Sequence, residues 1–516
     1  MRRYVLVLAV LVLAPSAAVP SQPRPGEGAR PRLVLAITVD QFRQDYLTRF
    51  KAEYSGGLKQ LLTDGAVFTN ARYEHFPTVT AVGHATILSG ATPSIGGIIG
   101  NDWYDREQGR QVTSVQDDGE AIVGGSAPAA RGASPRRLLV STVGDELKIA
   151  HGKQCRVAGI SLKDRGAILP AGHMADSAYW FDARSGGMVS STYYMSALPA
   201  WVREFNKTGV ERYRGAEWLS RKLPDDAKFH AALPSSPFGN DLLEEFAERL
   251  IEAEGFGADP STDLLSVSFS SIDYVGHTFG PDSPEVKEMC VRLDRVLEKF
   301  FRFVDARIGL RNVLVLLLSD HGVSPVPETL TANKMPGGRM SARVVQDGIE
   351  QALTKKYGPA KWIVSPSEHS VYLNYAAIDE KKLHLEEVVR LARDAVLAIP
   401  RVLRVYTRPQ LIDGGALEDQ FGRRIMESFS VRRGADLYIV LEPYWIFGRT
   451  GTTHGTTYSY DAHVPVVLMG PWIRPGFYHQ TVAVNDVAPT LTTLLEAETP
   501  SGSVGRVLAE CLETSR

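Results

Sequence analysis

Cysteine is scarce: the 516 residues hold only three, Cys155, Cys290 and Cys511. No two stand in Cys-x-x-Cys spacing, so neither a thiolate zinc cage nor a disulfide framework is signalled, and at most one bridge could form. An excess of one charge is lacking too. Lysine and arginine number 57 against 59 aspartates and glutamates, a formal net charge of −2, which removes any general electrostatic drive toward nucleic acid. No nucleic-acid binding is expected. Long apolar runs are also missing: Val5 to Ala14 is shorter than the ~20 residues a bilayer needs, and no later stretch is long enough. There is no low-complexity tract and no repeat of the solenoid kind. What remains is a chain with 44% apolar and 22% charged residues, globular in composition and long enough for two or three structural units.

The apolar run near the start has the marks of an export signal. Arg2 and Arg3 precede it, and the small residues Ser16, Ala17 and Ala18 follow, so residues 1–18 read as a signal peptide cleaved near Ala18. An uncleaved anchor is the alternative. A periplasmic or secreted protein with no stable membrane span after cleavage is expected, with residues 19–31 as a Pro/Gly/Arg linker.

The segment Leu33 to Asp40 is a nearly continuous apolar run closed by an aspartate, as suits a strand buried on both faces. Similar runs recur at Arg156 to Ser161, Leu264 to Phe269, Val313 to Ser319, Asp436 to Leu441 and Val464 to Met469. Helical patterns lie between them. The clearest starts with Ser283 as N-cap and Pro284 as first helical residue, with Met289, Leu293, Val296, Leu297 and Phe300 on one face. Strands alternating with helices imply an α/β fold with a mostly parallel central sheet covered on both faces. Two stretches interrupt the alternation. One is a Gly/Ala/Ser-rich loop from Arg106 to Pro135; the other, residues 330–433, reads as an inserted α/β cap. The catalytic core is then residues 32–329 and 434–516.

Polar residues collect where strands end. Asp40 closes the first strand, Asp273 and His277 follow the run ending at Phe269, Asp320-His321 closes the run from Val313, and His454 stands in a glycine-flanked loop. Ligands of open parallel sheets bind outside the carboxyl ends of the strands, so these groups could meet at one edge. Three aspartates and three histidines are the ligand set expected of a pair of divalent cations, and imidazole with carboxylate but no thiolate suits zinc in a hydrolytic site. Thr80 precedes a helix-compatible stretch, where free N–H groups and the helix dipole favour an attacking alkoxide or a bound phosphate. The plainer alternative is that Thr78 or Thr80 merely caps that helix.

These motifs resemble the alkaline phosphatase superfamily, in particular its bacterial threonine-nucleophile alkaline phosphatases, which are related to nucleotide pyrophosphatase/phosphodiesterases. The resemblance is carried in order by Val39-Asp40, Thr80-Ala-Val-Gly-His84, Gly100-Asn-Asp-Trp-Tyr104, Lys163-Asp-Arg165, Asp273-Tyr-Val-Gly-His277, Asp320-His-Gly322 and Thr453-His-Gly455. It implies two Zn2+. One would be held by Asp273, His277 and His454, the other by Asp40, Asp320, His321 and the Thr80 oxygen. It also makes Thr80 the catalytic nucleophile, passing through phosphothreonine, and gives Asn101, Lys163 and Arg165 the substrate's phosphate oxygens. Gly96-Gly97 departs from relatives that often read His-Gly there. His463 is a competing ligand, read as structural because it leads directly into a strand.

Residues must choose the substrate within such a family. Asn101 offers an amide, Lys163 a point charge and Arg165 a planar fork, and two cations favour a dianionic phosphate monoester over a singly charged diester. The expected reaction is therefore phosphate monoester hydrolysis on small molecules. A nucleotide pyrophosphatase or phosphodiesterase on the same metals is the alternative, and a catalytically silent metal-binding protein a further one. The Cys/Ser-x-Pro-x-Arg pattern of sulfatases is absent at the nucleophile. Oligomeric state is not legible.

Overall fold

The structure is a computed structural model that describes residues 30–125, 131–367, 369–416 and 418–513. The expected export signal and most of the expected linker lie outside the described residues. Seven strands carry the argument: β1 (Leu33–Val39), β2 (Ala66–Arg72), β3 (Val157–Ser161), β4 (Ser177–Asp182), β5 (Asp263–Phe269), β6 (Val313–Leu318) and β7 (His463–Met469). They belong to one twelve-stranded sheet in the spatial order β2, β7, β6, β1, β5, β3, β4, extended at both edges by shorter strands. From β6 to β4 the pairs are parallel.

Burial explains the strand sequences. All seven residues of β1 are buried, and alternate side chains enter different cores. Leu33, Leu35, Ile37 and Val39 join one apolar cluster with the helices Phe238–Glu254 and Pro284–Arg307. Val34 and Ala36 join another with Val143–His151 and Val487–Leu495. A period of two in a strand covered on both sides leaves no polar face, hence the nearly continuous hydrophobicity, which only Thr38 interrupts. The helix Pro284–Arg307 begins as its sequence indicates, with the Ser283 hydroxyl accepting the Val286 N–H at 3.2 Å.

Register brings the strand ends together. Val39 pairs with Phe269, Thr38 with Leu318, and Ser268 with Ser161. The residues that follow these strands, Asp40, the turn into Ser271–Phe279, Ser319-Asp320-His321 and Leu162-Lys163, therefore leave the sheet along one edge.

Three features differ from the sequence reading. The run Val464 to Met469 is a buried strand, but it lies antiparallel to both β6 and β2. Asp436 to Leu441 supplies Leu437–Leu441 to a separate four-stranded sheet with Ile363–Pro366, Ser370–Leu373 and Val402–Thr407, where it pairs antiparallel on both sides. That small sheet has its own apolar core, including Ile349, Trp362, Val388 and Ile439, and it reaches past residue 433. The stretch 106–135 is not a plain loop. It holds strands Arg110–Thr113, Gln116–Val123 and Arg131–Ala133, the second pairing with the Gly187–Ser191 edge.

Candidate metal centre

Helix α1 (Thr80–Ser89) starts at Thr80, with Val79 as an N-cap that makes no side-chain cap bond. Neither threonine is the cap. Thr78 is committed elsewhere, its hydroxyl donating to Thr456 O at 2.7 Å. Thr80 is 2% exposed, and its Oγ1 stands 3.4 Å from His321 Nε2 and 3.5 Å from Lys163 Nζ. The helix can approach because residue 83 is glycine. A Cβ there would fall 2.2 Å from Asp320 O, so any side chain would push the nucleophile candidate off the strand end.

Around Thr80 the expected residues converge. Lys163 Nζ lies 2.6 Å from Asp40 Oδ2 and 2.6 Å from Asp273 Oδ2. His277 Nε2 is 3.1 Å from Asp273 Oδ1, and His454 Nε2 is 3.7 Å from the same oxygen. His321 Nε2 stands 3.5 Å from both Asp40 Oδ1 and Asp320 Oδ2. Asp273, His277 and His454 form one compact trio of ligand atoms; Asp40, Asp273 and His321 form another.

The histidines are pre-oriented. Nδ1 of His277, His321 and His454 faces the backbone oxygens of Thr452, Gly322 and Thr78 at 2.9, 2.9 and 2.8 Å. A carbonyl can only accept, so each Nδ1 carries the proton and each Nε2 is presented to the cluster, as metal-ligating imidazoles are held by their outer partners.

Three buried carboxylates side by side are electrostatically unfavourable. Burial, then the charge of Asp273, push Asp40 up to about 6. Burial, then Asp40, carry Asp320 well above the usual carboxylate range. Burial also acts to raise Asp273, but the charge of Lys163 and then His277 hold it well below that range. Burial lowers His321 to about 3 and takes His454 well below an ordinary imidazole. His277 moves to about 9: burial opposes the shift, and the Asp273 charge outweighs it, so a cation bound there has to displace that proton. Asp40 Oδ1 and Asp320 Oδ2 are buried and accept no hydrogen bond. Orphaned carboxylate oxygens beside neutral imidazole Nε2 atoms are the donor set of a divalent cation site, and these residues fit one.

Of the phosphate-contact candidates, Lys163 stands within the cluster. Asn101 Oδ1 accepts the Ala81 N–H at 2.9 Å, which leaves its amide N–H groups to point elsewhere. Asn101 lines a cavity of about 330 Å³ with Phe76, Val79, Trp103 and Tyr372. Lys163 and Arg165 line another of about 380 Å³ with Trp180 and Tyr274. His463 Nε2 donates to Thr69 O at 2.9 Å, away from these groups.

Two residues had no role in the sequence reading. His84, quoted there only within its motif, is fully buried with Nε2 3.6 Å from Asp320 Oδ2, and completes a trio with Asp40 and Asp320. Its spacing of four from Thr80 on one helix face was the available signal. Gln41 donates its side-chain amide to Asp273 Oδ1 at 2.7 Å and its backbone N–H to Asp320 Oδ1 at 3.1 Å. Only its place after Asp40 hinted at that.

Fold and cluster define an α/β protein with a cation-binding composition at the carboxyl edge of its sheet. The family of type I phosphodiesterases and nucleotide pyrophosphatases matches residues 34–463, and the chain belongs to it. Among relatives, a protein named calcium-transporting ATPase from Myroides odoratus is 35% identical over 523 residues, spanning 94% of this chain and 95% of that one. Alkaline phosphatase PhoV of Synechococcus elongatus is 36% identical over 519 residues, 94% of each chain. The crystal structure of wild-type alkaline phosphatase PafA matches with a TM-score of 0.88 at 35% identity, covering 94% of this chain and 99% of that one. Among the described residues, no helix is long and apolar enough to cross a membrane.

Proposed function

We propose that the protein is an alkaline phosphatase: an exported phosphate monoester hydrolase that uses two zinc ions and a phosphothreonine formed on Thr80. The observation that carries this is the convergence of three buried aspartates and three Nε2-presenting histidines on one hydroxyl at a helix N-terminus. The alkaline phosphatases PhoV and PafA, alike over nearly the whole chain, support it. Asp273, His277 and His454 would hold one ion; Asp40, Asp320, His321 and Thr80 would hold the other. Bound there, the pair supplies Lewis acidity that favours the ionised hydroxyl and compensates charge on the leaving oxygen.

The chain's own groups do the rest. Thr80 Oγ1 bonds to phosphorus as the bond to the leaving oxygen breaks, and water later frees inorganic phosphate and restores the hydroxyl. Asn101, its carbonyl fixed by Ala81, donates N–H to a non-bridging oxygen. Lys163 and Arg165 hold the oxygens of a dianion, Arg165 through its fork. The small α/β unit serves as a cap, since Tyr372 and Tyr438 from its sheet line the cavity beside Asn101. A phosphodiesterase on the same site is the competing reading. Side-by-side hydrolysis of an aryl monophosphate and a bis-aryl phosphate decides between them: higher kcat/KM on the monoester is expected, and a preference for the diester would reverse the assignment.

A further inference from the structure

Gln41 combines three unusual properties. It is fully buried, and it holds φ at +63°, where non-glycine residues persist only when their surroundings demand it. It also bonds carboxylates from both halves of the cluster: Asp273 through the side chain and Asp320 through the backbone. In each case it takes Oδ1. On Asp273 that oxygen is the one nearest His277 and His454, so the amide fills a second lone pair and fixes the carboxylate's rotation. On Asp320 the bond leaves Oδ2 facing His321 and His84.

Space for this side chain is made by a glycine on another element. Gly276 lies in the helix Ser271–Phe279, between Asp273 and His277. A Cβ built there would fall 2.0 Å from Gln41 Oε1, and its next neighbours are Gln41 Cδ at 3.1 Å and Nε2 at 3.9 Å. The three nearest atoms all belong to Gln41. A glycine inside a helix is unfavourable relative to alanine, so its presence needs a cause, and the Gln41 amide supplies one.

We propose that Gln41 is a positioning residue that sets the carboxylates of both cation sites, and that residue 276 is glycine to admit it. The inference rests on the reading of this cluster as a metal centre. It predicts metal affinity, which is measured without turnover. Loss of an outer partner of a metal ligand typically weakens binding ten- to a hundredfold.

The test is zinc affinity of the metal-stripped full chain, by competition with a chromophoric chelator, with the melting midpoint of each metal-free variant recorded alongside. Gln41→Gly suits the left-handed backbone and should still fold, yet bind zinc ten- to a hundredfold more weakly. Gly276→Ala should lose at least as much by displacing the amide. In Gln41→Gly/Gly276→Ala the obstructing atoms are gone, so the double variant should bind no more weakly than Gln41→Gly alone, with a metal-free midpoint no lower. Wild-type affinity in Gln41→Gly, or losses that multiply in the double variant, would overturn the proposal. Wild type that takes up no zinc at all would overturn the metal reading, and this inference with it.

Discussion

Lys163 has one observed role, as the cation between two carboxylates, and one proposed role, toward substrate; a single substitution separates them. The residue is 5% exposed and its ammonium lies 2.6 Å from both Asp40 and Asp273, so in the metal-free chain it is the cation that lets those carboxylates share a buried site. Breaking a buried ion pair from one side typically costs about 3–5 kcal/mol. Proton uptake limits the loss, because burial already pushes Asp40 up to about 6. Metal-free Lys163→Ala should therefore melt well below metal-free wild type at pH 8, and less so at pH 5. Zinc should raise the melting point more in the variant than in wild type, since it replaces the missing charge. If Lys163 holds the substrate as proposed, the loaded enzyme loses a different quantity: one charge-assisted hydrogen bond to a phosphate oxygen, worth about 1.5–3 kcal/mol. That corresponds to a fall in monoester kcat/KM of roughly one to two orders of magnitude. A diester carries an ester group where one charged oxygen would be, so its hydrolysis should fall much less. The assay is kcat/KM on an aryl monophosphate and a bis-aryl phosphate, with metal content checked in each preparation; Arg165→Ala should repeat the selectivity with a smaller stability loss, since its side chain is only partly buried and its carboxylate neighbour Asp164 stands 3.7 Å away. Equal losses on the two substrates would refute the charge argument, and an unchanged metal-free melting point would refute the ion-pair argument.

Thr80→Ala should abolish nearly all turnover while Thr80→Ser keeps a good part, and acid quench with peptide mapping should find the phosphoryl group on residue 80; label found elsewhere, or a dead Thr80→Ser beside an active Thr80→Ala, contradicts the assignment. Chelation should stop turnover. His454→Ala should lose zinc measured by elemental analysis, whereas His463→Ala, which gives up only a bond to Thr69 O, should keep it. Away from the site, burial and then the neighbouring Glu248 raise Glu244 to about 8 from an ordinary 4.5. Its neutral form suits the fold, so that contribution is full below about pH 4.5 and is lost as pH rises through 8. Glu244→Gln should match wild type in urea unfolding at pH 5 and exceed it at pH 9; a difference independent of pH would exclude this cause.

Much of the molecule is written in local pattern. A fully buried strand must be apolar on both faces, which is why Leu33 to Val39 and Val313 to Leu318 are legible as core strands. Helix starts follow from donors that need partners, as at Ser283. The residues of the cluster were legible as candidates because carboxylates and imidazoles at strand ends have few structural uses together, and their order along the chain resembled a known family. What hydrophobicity states is burial, not partner or direction. Leu437–Leu441 and residues 464–469 are both buried apolar runs, yet one joins the small sheet and the other turns antiparallel in the large one, because pairing is settled by long-range contacts that no local window contains. The same limit hid the supporting residues. His84 faces Asp320 from a helix that Gly83 allows to come close, and Gln41 reaches Asp273 across a gap left by Gly276. The types of group at the site were set by sequence, whereas their orientation was decided by packing between segments more than 200 residues apart, where a missing Cβ on one element is the room for a side chain on another.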